Sequence, residues 1–172
     1  MKHSSDILTL QILSSMPKNM LKMHGADNIS EFVLHELSCK DCFNLSKAAY
    51  FVDNPDFDCL KGVAGYAQEE ACLIEAPIWE QPAHFSNHMQ SSSFNQKVRE
   101  SVQISCKGCE TPDEEVLYEL ANKLGMNTFN YCTWEMKHDN HGYLLYQTCG
   151  GVEPTKEELL NGFSLLSFCP IF

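Results

Sequence analysis

Between residues 5 and 16 the apolar positions crowd one side of a helical wheel: Ile7, Leu8, Ile12, Leu13 and Met16, with Ser5 placed as a cap. That pattern predicts a helix. Pro17 suits the first turn of a new helix and not the interior of a long one. A second short helix is therefore expected through Met20, Leu21 and Met23, stopped by Gly25. A third follows over DNISEFVLHELS, capped by Asp27 or Ser30, with Phe32, Val33, Leu34 and Leu37 as its apolar residues. The period then changes. Residues 48–53 are aromatic and β-branched and predict a strand, closed by an Asn54-Pro55 turn. VAGYA and ACLIEA, on either side of QEE, are expected to pair as a hairpin. Residues 77–93, with two prolines and three consecutive serines, read as a loop or a short helix set in one.

Helical spacing returns with Phe94, Val98 and Val102 behind a Ser93–Gln96 capping box. TPDEEVLYELANKLG carries Thr111 as cap, Pro112 as first helical residue, Leu117, Leu120, Ala121 and Leu124 as buried stripe, and Gly125 as stop. TFNYCTWEM and YLLYQTC alternate as strands around KHDNHG, a hairpin. Thr155 with Glu158 opens a last helix, with Leu159, Leu160, Phe163 and Leu166 inward, ending before Pro170. Strand pairs mixed with helices, without βαβ alternation, predict an α+β fold. The expected organisation is a single globular domain over residues 1–172: an antiparallel sheet built from hairpins, packed by several helices, with residues 1–25 as a helical N-terminal segment packing on it.

A chain of 172 residues buries roughly 70% of its unfolded surface, so a core forms without covalent staples. Charge narrows the partners. Twelve Lys+Arg stand against 23 Asp+Glu, a net −11, which repels phosphate backbones and anionic lipid headgroups. Nucleic acid and membrane are not expected as partners. The apolar run of MKHSSDILTLQILSSMPK is broken by Asp6, Thr9 and Gln11, unlike a secretory leader, and no stretch approaches the 18 apolar residues of a membrane span. A cytoplasmic protein is expected. In a reducing compartment its nine cysteines are buried thiols, metal ligands or catalytic groups before they are disulfides.

Two CxxC pairs carry the candidate chemistry, CKDC at 39–42 and CKGC at 106–109. Zinc takes four soft or borderline ligands in a tetrahedron, and each pair delivers two thiolates. Cys39, Cys42, Cys106 and Cys109 are thus the expected zinc ligands. Residues 43–105 separate the pairs, against roughly 15–20 residues in compact zinc ribbons, so the site would be stitched into the fold. A thioredoxin-like role fits less well: CKGC has acidic neighbours (Glu110, Asp113, Glu114, Glu115), and CKDC lies at a helix C-terminus, where the dipole disfavours a thiolate. HELSC resembles the first half of the HExxH metalloprotease helix, with Cys39 in place of the second histidine. His35 and Cys39 would hold a metal and Glu36 would act as general base. HFSNH sets His84 and His88 one helical turn apart, a further pair of candidate ligands, and HDNH places His138 and His141 in a turn. Cys59, Cys72, Cys132, Cys149 and Cys169 sit in apolar surroundings and are expected in the core. Three functions follow: a zinc protein with a structural or regulatory site; a metal-dependent hydrolase or cysteine-dependent enzyme centred on HELSC; or a metal-free acidic interaction module whose N-terminal helix pairs with another protein chain or a second copy.

Overall fold

The computed structural model describes residues 2–106, 114–151 and 153–171. Helices α1 (Lys2–Lys22) and α2 (Ile29–Ser38) lead into strands β1 (Leu45–Asn54) and β2 (Cys59–Ala67). Next come α3 (Gln68–Ala71), α4 (Pro82–Ser91), α5 (Ser93–Glu100), the short strand β3 (Val102–Ile104) and α6 (Glu114–Lys123). The hairpin β4 (Asn130–Glu135) and β5 (His141–Thr148) precedes α7 (Lys156–Phe163) and a 3₁₀ turn at Ser164–Phe168. The strands form one antiparallel sheet in the order β3-β2-β1-β5-β4. This is the expected α+β fold with its helical N-terminal segment. No described helix is long and apolar enough to cross a membrane.

β1 lies at the centre of the sheet, and its period-two alternation divides the core. Ala48, Tyr50 and Val52 face a layer filled by α1, α2, α7 and the C-terminal turn. Ala49 and Phe51 face the opposite layer, filled by α5 and α6. A smaller cluster of Phe32, Ile78, Phe85 and Met89 joins α2 to α4.

β3 pairs only with Cys59–Lys61, and α5 covers the free edge of β2 beyond it. Two glycines permit the approach. A Cβ on Gly62 would stand 1.7 Å from the Val98 carbonyl oxygen, and one on Gly65 would stand 2.8 Å from Val98 Cγ2. The backbone N–H groups exposed there still need acceptors. Gly62 donates to the Ser101 carbonyl at 2.9 Å and Gly65 to Asn95 Oδ1 at 2.8 Å. Asn95 Nδ2 donates to Glu31 at 3.0 Å and to the Met89 carbonyl at 3.1 Å, while Arg99 reaches Glu31 at 2.7 Å. The buried Glu31 carboxylate is thereby satisfied and ties α2 to α5.

Several elements differ from the sequence reading. α1 runs through Pro17 as one helix. Proline removes one bond, to the Leu13 carbonyl, but Ile12, Leu13, Met16, Met20 and Met23 pack as one stripe on the same layer, and the proline ring is exposed. The loss is therefore outweighed. Gly25, at φ +93°, ends the segment as expected. VAGYA and ACLIEA do not pair: VAGYA completes β2, which pairs with β1, and QEEA is α3. Val102, expected at the end of a helix, begins β3. Ser92, one residue earlier than expected, caps α5, and the α2 cap is Asn28, whose side chain bonds Ser86 and Glu31. The Thr155–Glu158 capping box is present in full. Thr111, Pro112 and Cys109 lie outside the described residues.

Candidate functional site

α2 carries the histidine, glutamate and first cysteine of HELSCKDC, but Cys39 is already its C-cap, and Cys42 lies in the turn beyond. His35 turns inward. Its ring meets the edges of Tyr66 and Phe85 at 5.3 and 5.1 Å between centroids. Burial, with a smaller contribution from nearby His88, lowers its pKa from 6.5 to about 4, so the imidazole is neutral at pH 7. Burial also raises the Glu36 carboxyl above its usual range and pushes the Cys39 thiol up to about 11. Cys42 is raised further, by burial first and by Cys39 second. These two thiols are protonated at neutral pH, and Cys39 donates to the Glu36 carbonyl at 3.0 Å.

The helical pair His84 and His88 divides: His84 is exposed, whereas His88 is half-buried and near enough to His35 to help lower its pKa. The structure does not bring the described paired cysteines together. Cys42 belongs to the layer under α2, with Cys39 packed against it, whereas Cys106 packs against the layer on the other side of the sheet. Among the described residues, no three His, Cys, Asp or Glu side chains are grouped so as to hold a metal ion. His138 takes a left-handed conformation in the β4–β5 turn, and His141 Nδ1 lies 3.2 Å from the Asp139 carbonyl. Cys132 and Cys169 are buried as expected. Cys72 and Cys149 are exposed, because they fall just past the ends of α3 and β5 and not within them.

An opening of ligand size lies elsewhere, between the end of α1 and the C-terminal turn, over the start of α2. A cleft of about 770 Å³ is lined by Pro17, Met20, Leu21 and His24 at the end of α1, by Gly25, Ala26, Asp27 and Ile29, and by Leu165, Phe168, Cys169 and Pro170. That volume lies within the ~300–1,000 Å³ range of small-molecule sites. A second hollow, between α6 and the β4 edge, is about 240 Å³ and falls below it. The large cleft is apolar except for His24 and Asp27, both solvent-exposed, and the Cys169 thiol. Burial pushes that thiol up to about 11, so it meets a ligand as a neutral, weakly polar group. Leu21 and Phe168 line the cleft while remaining 73% and 74% exposed.

No family model, curated protein or solved structure matches this chain. The cleft therefore has to be read from its own chemistry. It was missed in the sequence because its walls come from residues 17–29 and 165–170, two segments with no motif between them. One signal was available: Phe168 is a large apolar residue outside the Leu159, Leu160, Phe163 and Leu166 stripe of the last helix.

Proposed function

We propose that this protein is a binding module for a small apolar molecule, held in the cleft between α1 and the C-terminal turn. The observation that carries this reading is an apolar cleft of ligand size with a few polar groups among its lining residues. The Met20 thioether adapts to irregular ligand shapes. Cys169 is protonated at neutral pH, which favours reversible non-covalent binding over chemistry at the thiol. The separation of Cys42 from Cys106 across the sheet also favours this reading over a zinc site built on the paired cysteines.

Nile red fluorescence and calorimetry with decanol provide the test. Saturable binding at one site per chain is expected. Ala26→Trp places an indole in the cleft and should weaken binding at least tenfold, about 1.4 kcal/mol, with the melting transition retained. Nile red binding that is unchanged in the folded Ala26→Trp variant would place the ligand elsewhere and overturn the assignment.

A further inference from the structure

The cleft is only half of an enclosure. Sites for small molecules bury most of the ligand surface, yet here Leu21 and Phe168 stand largely in solvent at the mouth. The apolar surface does not stop there. Ile7 and Leu10 are 56% and 65% exposed on the same helix, and with Ser14, Pro17 and Leu21 they make a 3–4–3–4 spacing along α1. This is the a/d seam of a helix that packs against another helix. It is distinct from the Ile12, Leu13, Met16 and Met20 stripe that anchors α1 to its own sheet.

We propose that the seam is occupied by a second copy of this chain, α1 packing antiparallel on α1, and that each copy closes the other's cleft. This rests on the ligand-binding reading for what is closed, but not for the association itself. Three observations select the occupant. First, the exposed apolar side chains of the seam and mouth amount to roughly 600 Å² per copy, at the upper end of what a monomer leaves bare and approaching the ~800 Å² per partner of a standard interface. Second, a two-fold interface requires the same patch on both partners, which an uncharged seam on a single helix supplies. Third, a and d positions meet in antiparallel pairs, so Leu10 of one copy falls opposite Leu21 of the other. Ile7 then lies over the mouth of the partner's cleft. Ser14, at the middle, is small enough for close approach of the two backbones.

Sedimentation equilibrium on the full chain, with Nile red titrations on the same samples, tests this. Wild type should be dimeric at micromolar concentration. Leu10→Glu lies outside the cleft and on the exposed face, so it should fold normally, sediment as a monomer and bind Nile red at least fivefold more weakly. Ala26→Trp should remain dimeric while losing the dye. A wild type that is monomeric at 100 µM overturns the dimer even if Nile red binds. A dimer that Leu10→Glu does not dissociate overturns the seam. A Leu10-dependent dimer that binds no dye leaves the association standing and removes the ligand reading.

Discussion

Asp53 shows how far single positions depart from what their neighbours imply. It lies in β1 with no solvent exposure, and neither carboxylate oxygen has a hydrogen-bonding partner among the described residues. A buried polar group without a partner costs about 1–3 kcal/mol, and an apolar replacement of similar shape removes that cost. Asp53→Leu should therefore leave stability unchanged or raise it by up to about 2 kcal/mol in urea unfolding; a loss of more than 1 kcal/mol would show that the carboxylate is satisfied in solution. His35 acts on stability through pH. Its pKa falls from 6.5 to about 4 on folding, so protonation favours the unfolded chain. Its stabilisation is complete above pH 6.5 and is lost as the pH falls toward 4, by up to about 3 kcal/mol. The urea midpoint should fall over that window, and His35→Leu should flatten the fall; an unchanged pH slope in the variant would assign it to other groups. Thr155 and Glu158 were readable in the sequence because a capping box is closed within four residues. The direction in which His35 points was not, since it depends on Tyr66 and Phe85 from two other elements.

Among the elements, β2 carries the weakest strand signal in its own sequence. Its glycines interrupt the alternation that marks a strand, and they are there for a partner distant in sequence: Gly62 and Gly65 let α5 lie against the strand. Gly62→Ala would drive a methyl into the Val98 carbonyl, which is backbone and cannot rotate away. The variant should lose about 3 kcal/mol or more, seen as a marked drop in thermal midpoint; a shift of less than 2 °C would mean that α5 is not seated on this edge in solution. The same non-local demand explains the misplaced hairpin. Once α5 covers the edge of β2, VAGYA needs no partner from ACLIEA. α1 departs from its local pattern for a related reason. Pro17 is a local signal to stop, and the packing of Met16, Met20 and Met23 on one layer overrides it. By contrast β4, β5 and the start of α7 follow their patterns closely, because their own residues settle the period, although α7 gives way to a 3₁₀ turn at Ser164, earlier than the stripe through Leu166 implies.

For the molecule as a whole, the α+β class followed from periodicity alone, whereas the cleft did not, because it is bounded by residues far apart in the chain. The sheet is a partition: the layer under α1 and α2 and the layer under α5 and α6 are filled by separate sets of side chains. The first of them draws on Met16 from the first helix and on Leu159, Phe163, Leu166 and Cys169 from the last stretch of the chain. On the ribosome, α1 thus emerges long before the residues that complete its packing. Until they follow, its inward stripe is covered only in part, by α2 and the sheet. A nascent chain in this state leaves part of its core in water, the kind of transiently exposed apolar surface that chaperones shield.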